Sequence, residues 1–140
     1  MDEAYVLSDD RSRVDGEVVY SYLSRDSYWA KGRSREVVKE SIENSYCVAI
    51  HHPVAGMVAF ARVVTDWATM YYVCDLFVLG PHRGRGLGKR LVEQICTHPR
   101  LASLSGFLMT ADAHGLYEQF GFVQSDEVCR KFMRKPRSSY

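Results

Sequence analysis

Val14, Val18, Val19, Tyr22 and Leu23 recur at the three- and four-residue spacing of one helix face and predict a first helix over residues 14–25. Residues 28–33 read as a loop carrying the aromatic pair Tyr28 and Trp29. Ser34 caps a second helix with Val37, Val38, Ser41 and Ile42 inward. Tyr46 to Ile50 is a short strand, and Pro53 marks a turn because it has no N–H for a ladder. Residues 54–64 are almost continuously apolar, as in a strand covered on both faces. A third strand, Tyr71 to Leu79, is interrupted by Asp75. Leu87, Leu91, Val92 and Ile95 form the stripe of a helix over residues 87–97, ended by Pro99. Ser105 to Met109 is a strand. Asp112 opens a short helix stopped by Gly121, and residues 122–123 and 128–133 are read as last strands. The order α α β β β α β α β β predicts a mixed α/β domain around one sheet, spanning residues 1–140, with residues 136–140 outside the ordered part.

Composition narrows the function. With 140 residues, 46% hydrophobic, the chain is one ordinary globular domain in size. Lys plus Arg number 18 against 17 Asp plus Glu, which argues against a nucleic-acid binder. No apolar run approaches the roughly 20 residues that span a bilayer, and the acidic start Met1-Asp2-Glu3 does not resemble a signal peptide. Cys47, Cys74, Cys96 and Cys129 form no C-x-x-C pair and read as free thiols of a reducing, cytoplasmic compartment. The five histidines show no metal spacing, so no metal is expected.

The basic residues are clustered. Arg130, Lys131, Arg134, Lys135 and Arg137 read as a solvated face. Arg83, Arg85, Lys89 and Arg90 differ, because glycines are interleaved with them between a strand and an amphipathic helix. Glycine allows positive φ and close backbone approach, and a helix start offers free N–H groups to an anion. A dinucleotide G-x-G-x-x-G read from Gly84 fails at Lys89. A Walker loop ending at Gly88-Lys89 fails at Arg83 and at Arg90. The pattern that fits is R-x-x-G-x-G, as Arg83, Gly86 and Gly88.

That pattern resembles the acyl-CoA pyrophosphate loop of the GNAT superfamily of acetyl-CoA-dependent N-acetyltransferases. About 30 residues on, Ala113, Tyr117, Gly121 and Phe122 resemble the family's A-x-x-x-Y-x-x-x-G-F block, and the order of elements matches as well. The resemblance implies a largely antiparallel sheet splayed between two parallel strands, flanked by about four helices. It implies acetyl-CoA as acyl donor, with the pyrophosphate on the amides of Arg83, Gly84, Arg85, Gly86, Leu87, Gly88 and Lys89. The pantetheine arm would pair with Phe77, Val78 and Leu79, the amide of Val78 or Leu79 would face the thioester carbonyl, and Tyr117 would be the general acid. Many members carry Asn seven residues before the tyrosine; here Thr110 stands there, with a hydroxyl that can still hydrogen-bond the cofactor.

Acceptor chemistry is less marked. Asp75, a carboxylate within an apolar strand, is costly unless paired or useful. It binds an ammonium group or relays its proton through water, or else it is a carboxylate at the sheet face hydrogen-bonded to a neighbouring side chain. Tyr28 and Trp29 either wall the acceptor pocket or fill the core. His114 is a weaker base candidate. These residues lead to a small-molecule amine as acceptor, transferred to by direct attack in a ternary complex. The alternatives are a protein N-terminus or Lys side chain, and, in another class, a non-catalytic acyl-CoA sensor. A homodimer through the terminal strand, residues 128–133, completes the expectations.

Overall fold

The computed structural model describes residues 4–138. Its single sheet has the order β1-β2-β3-β4-β5, formed by β1 (Val6–Ser8), β2 (Tyr46–His52), β3 (Gly56–Thr65), β4 (Met70–Val78) and β5 (Ser105–Leu108). The first four are antiparallel, and β5 lies parallel to β4. One face is covered by α3 (Leu87–Thr97), whose buried Leu87, Leu91 and Ile95 meet Val48, Ile50, Val58, Val63 and Val73. The other face is covered by α1 (Gly16–Ser21) and α2 (Arg35–Glu43), through Val19, Val38 and Ile42 against Cys47, Ala49, Phe60 and Phe77. Two short helices follow, α4 (His114–Glu118) and α5 (Asp126–Lys131).

Capping explains several boundaries. Asp15 accepts from the N–H groups of Glu17 and Val18 to start α1, and Ser34 accepts from Val37 to start α2, as its position predicts. The first helix is shorter than its apolar spacing suggests. After Ser21 it widens into a π turn, Tyr22–Asp26, closed by Ser27 N–H on the Tyr22 carbonyl at 2.9 Å.

Three sequence expectations are corrected. Residues 6–8 form an edge strand too short to carry a periodic signal. Residues 122–123 form no strand, and residues 128–133 are the end of a helix followed by extended chain. Ser125 accepts from Val128 N–H, Asp126 and Glu127 stand in the first turn, and Arg130 and Lys131 in the last. These caps and charges favour a helix over the β-propensity of Val128, Phe132 and Met133. The proposed dimer strand is therefore absent. Residues 136–138 are exposed and irregular, while the rest of the expected disordered tail, residues 139–140, lies outside the described residues.

β4 and β5 part company midway. They pair only from Met70↔Ser105 to Val73↔Leu108, whereas β4 runs on to Val78. Against β3, Arg62 pairs with Asp75 and Val63 with Val73, so Cys74 is an extra, bulged residue. A bulge bends and twists its strand. Beyond it β4 leaves β5, opening a gap bounded by residues 74–78 and residues 109–111. The paired part is held closely. A Cβ on Gly106 would lie 2.5 Å from Cζ of the buried Tyr71 ring. We expect Gly106→Ala to cost about 1–3 kcal/mol by overpacking, measured by chemical denaturation. An unchanged midpoint would show that the ring moves freely.

Candidate active site

The glycine loop lies at the end of β4. Gly84 (φ 79°) and Gly86 (φ 77°) both adopt left-handed backbone, which side-chain-bearing residues rarely take. Gly86 is the N-cap of α3 and offers no side-chain cap. The first helical bond runs from Arg90 N–H to the Gly86 carbonyl, so the N–H groups of Leu87, Gly88 and Lys89 point out of the helix start. Among the described residues, no protein acceptor takes the N–H of Gly84, Arg85 or Gly86. The loop is a bowl of peptide donors at the positive end of an 11-residue helix, with Arg85 and Lys89 exposed on its rim.

Arg83 does not join the bowl. Its N–H binds the Gly80 carbonyl, its Nε donates to the Val78 carbonyl at 2.9 Å, and its Nη2 donates to the Tyr22 hydroxyl at 3.1 Å. It clamps the loop to the strand end. The cradle of amides thus starts at Gly84. Among Phe77, Val78 and Leu79 the backbone also separates the candidates. Leu79 donates to the Val58 carbonyl at 2.9 Å and is committed to β3. Alternation along an antiparallel ladder turns Phe77 the same way and Val78 the other, towards the gap. Of the two amides expected to face a thioester, Val78 is available and Leu79 is not. Phe77 contributes packing instead, stacked on Tyr22 at 4.2 Å.

Tyr117 stands on α4, the helix that follows β5. Helix α4 begins where the Thr110 hydroxyl accepts from Ala113 N–H at 3.0 Å and, more weakly, from Asp112 N–H. Thr110 therefore starts the turn that the sequence assigned to Asp112, and its own hydroxyl proton remains free to donate. Gly121 (φ 91°) ends the helix as expected, and Phe122 packs on the Tyr117 ring at 5.9 Å. Gly88, Val78 and Leu116 converge: a Cβ on Gly88 would lie 3.7 Å from Leu116 Cδ2 and 3.9 Å from Val78 Cγ2. Loop, strand end and tyrosine helix thus meet at one end of the gap. Tyr117 is 8% exposed. Burial pushes its phenol up to about 12, with the neighbouring Tyr28 and the Asp112 carboxylate adding to the shift.

Asp75 is fully buried beside the bulge. Its Oδ2 accepts from Arg33 Nη1 at 2.9 Å and Arg62 Nε at 2.8 Å, and its Oδ1 accepts from Trp29 Nε1 at 2.8 Å. Arg62 also donates to the Ser45 hydroxyl. Of the two roles weighed for Asp75, the geometry favours the hydrogen-bonded carboxylate, which ties the loop after α1 to β3 and β4. Trp29 is held in this network. Tyr28 is exposed, and its hydroxyl accepts the Ala111 N–H at 2.9 Å. Sequence reasoning missed Arg33, Arg62 and Ala111. Arg62 carried a readable signal: it is a lone cation in the apolar run of β3, register-matched to the lone anion of β4. Among the described residues no group of three or more His, Cys, Asp and Glu is placed to hold a metal, and no helix is long and apolar enough to cross a membrane.

A sheet parted between parallel strands, a bowl of amides at one side and a buried tyrosine opposite define an acyl-transfer site of the kind that handles a diphosphate-bearing thioester. Comparison with known proteins agrees. A family profile described as an acetyltransferase (GNAT) domain matches residues 43–124. A protein of Xanthomonas campestris pv. campestris, described as belonging to the GNAT family, is 38% identical, with 94% of this chain and 93% of that chain covered and a TM-score of 0.87. An uncharacterized N-acetyltransferase, ycf52, of Gracilaria tenuistipitata var. liui is 27% identical over 128 residues, 77% of this chain and 70% of the relative. In fold the chain also resembles N-acetylglutamate synthase of Neisseria gonorrhoeae, solved with coenzyme A and N-acetyl-glutamate, at 19% identity and TM-score 0.68 over 91% of this chain and 30% of that one. The chain belongs to the GNAT family of acetyltransferases and is an acyltransferase enzyme.

Proposed function

We propose that the protein transfers the acetyl group of acetyl-CoA to the primary amine of a small molecule, within one ternary complex. The observation that carries the donor side is the bowl of unengaged amides from Gly84 to Lys89 around two left-handed glycines. Its donor set fits a diphosphate: several converging N–H groups, a helix dipole and two rim cations. Thr110 supplies a further hydroxyl near the gap. The pantetheine arm would pair with the outward-facing edge of Val78, displacing Arg83 from the Val78 carbonyl, as an added strand.

In the reaction the neutral amine attacks the thioester carbonyl carbon. A C–N bond forms, negative charge gathers on the carbonyl oxygen near the Val78 N–H, and the C–S bond then breaks. The proton lost by the nitrogen passes to solvent. A thiol has a pKa near 8.5, and Tyr117 lies at about 12. Complete proton transfer from Tyr117 to the thiolate is thus uphill by roughly three to four pH units. Tyr117 therefore serves by donating a hydrogen bond to the departing sulfur and keeps its own proton. Asp75 positions Trp29 and its loop.

The small acceptor is supported by the closed side of the gap at Tyr28, and the N-acetylglutamate synthase resemblance supplies a relative whose name describes a small amine product. Release of CoA, followed with a thiol reagent over a panel of amines and lysine peptides, tests the assignment. Turnover on small amines is expected; turnover on peptides alone would reverse the acceptor, and donor binding without turnover would make the chain a sensor. We also propose a homodimer, now through the open edge of β5 and the exposed Val128, Phe132 and Met133 rather than a terminal strand. Sedimentation over a range of concentrations should show twice the chain mass; a constant monomer mass would remove it. Four free thiols favour a reducing compartment such as the cytoplasm.

A further inference from the structure

We infer that a cavity at the far end of the sheet from the glycine loop is a binding site for a small organic cation, an ammonium ion with an apolar body. The glycine loop follows Val78 at one end of β4. The cavity lies at the other end, where Thr65 of β3 turns through residues 66–69 to Met70 of β4. It measures about 290 Å³, at the small end of the roughly 300–1,000 Å³ range of ligand pockets. Trp67 and Tyr46 supply its aromatic wall, and Asp9, Arg11 and Glu43 supply its charges. The proposed acetyl transfer uses none of these residues, and the inference does not rest on that reading.

Trp67 is the one non-glycine residue with positive φ among the described residues, at 63°. Left-handed backbone is strained for a bulky side chain and persists only where the surroundings enforce it. Here they do. The Thr65 hydroxyl accepts from Trp67 N–H at 3.0 Å and donates to the Met70 carbonyl at 2.7 Å. The Asp66 carboxylate accepts from Ala68 N–H at 2.9 Å and from Thr69 N–H at 2.8 Å. The turn throws the indole back onto the protein, where it meets the rings of Tyr46 at 5.3 Å and His98 at 5.2 Å. Arg100 holds its guanidinium over the indole, 4.7 Å from the centroid. The ring thus already draws one cation to its surface, and it is fixed before a ligand arrives. The charges beside it select the same sign. Two carboxylates stand against one guanidinium, and Arg11 is committed through Nη1 to the Ser45 carbonyl at 3.2 Å. Asp9 Oδ2 accepts from the Tyr46 hydroxyl at 2.9 Å, and its Oδ1 has no hydrogen-bond partner among the described residues. The Glu43 carboxylate is paired only loosely with Lys39, at 4.0 Å between two exposed side chains. An ammonium ion finds an aromatic surface and two carboxylates with oxygens to spare; an anion finds both carboxylates in its way.

Choline is the probe, because its quaternary nitrogen cannot accept an acetyl group. Two isosteres carry a tert-butyl group in place of the trimethylammonium: neutral tert-butylethanol and anionic tert-butylacetate. Each is titrated into the protein while the indole N–H signals of its two tryptophans are followed by nitrogen–proton correlation NMR. The Trp67 signal, assigned with Trp67→Phe, should shift saturably with choline in the millimolar range. The Trp29 signal, whose N–H is bound to Asp75, should stay. The alcohol should bind at least about tenfold more weakly, and the carboxylate more weakly still. Added salt should weaken choline and leave the alcohol unaffected. The paired substitution Asp9→Asn and Glu43→Gln keeps both shapes and an acceptor oxygen for Tyr46; it should weaken choline by about tenfold. Far-UV circular dichroism and the melting midpoint check that this variant is folded; should it fail, the comparison of choline with its isosteres in wild type decides. An unmoved Trp67 signal, a shift confined to Trp29, equal affinity for choline and the alcohol, tighter binding of the carboxylate, or undiminished choline binding by the folded paired variant would overturn the site. Failure of acetyl-CoA to bind would remove the acetyltransferase reading and leave this site standing.

Discussion

Replacing Asp75 by alanine should lower the free energy of unfolding by about 3–5 kcal/mol, a large share of the 5–15 kcal/mol of an ordinary domain. The carboxylate is the acceptor shared by Arg33, Arg62 and Trp29, and all three donors arrive within 2.9 Å. Removing it leaves two guanidinium charges in a buried site without their common counter-charge, and breaking such a group costs more than the group contributes over an apolar substitute. Urea denaturation of wild type and Asp75→Ala measures the difference. The same comparison separates the two roles weighed for this residue. A proton relay predicts a folded, fully stable variant with lost turnover. A positioning carboxylate predicts lost stability, and turnover that falls while the acceptor KM rises as Trp29 and its loop loosen.

Tyr117→Phe should lower kcat by about 10²-fold with little change in the affinity for acetyl-CoA, measured by steady-state kinetics and calorimetry. The ring that packs on Phe122 is retained, and only the hydroxyl to which the proposal gives the hydrogen bond to sulfur is lost. The pH dependence follows from the raised phenol. Tyr117 keeps its proton until the pH approaches 12, so no fall in rate from its ionisation is expected below about pH 10. Instead, kcat/KM for an alkyl amine should rise through pH 7–9 as the ammonium, with a pKa near 10.4, deprotonates. A descending limb near pH 9 in wild type that is absent in Tyr117→Phe would mean that the phenol titrates far lower and acts in another way.

The parts of this molecule legible in its sequence are those where local chemistry and tertiary packing agree. The stripe of Leu87, Leu91, Val92 and Ile95 predicts α3 over residues 87–97, where it stands. Gly84, Gly86 and Gly121 are read as backbone requirements, and all three have positive φ. Ser34 is read as a cap and is one. The misreadings arise where a distant partner or a competing local signal decides. The Val128–Met133 run has strand-forming residues, yet Ser125 and the graded charges of residues 126–131 make a helix. Asp112 has capping chemistry, yet the hydroxyl of Thr110 reaches the orphan amides instead. Arg83 matches the loop motif in sequence but spends its guanidinium on Val78 and Tyr22. Two partners of Asp75, Arg33 and Trp29, come from 42 and 46 residues away, beyond any local pattern, whereas Arg62, 13 residues away, stands out as the lone cation of β3.

The most direct test is a calorimetric titration of the purified protein with acetyl-CoA, set beside acetyl-pantetheine, which has the same thioester and arm but no diphosphate. If the amides of Gly84 to Lys89 hold the diphosphate, acetyl-CoA binds saturably at one site per chain. Charge-assisted hydrogen bonds worth about 1.5–3 kcal/mol each make acetyl-pantetheine weaker by on the order of 100-fold or more. Equal affinity for the two, or no measurable binding of acetyl-CoA, would contradict the role given to the loop.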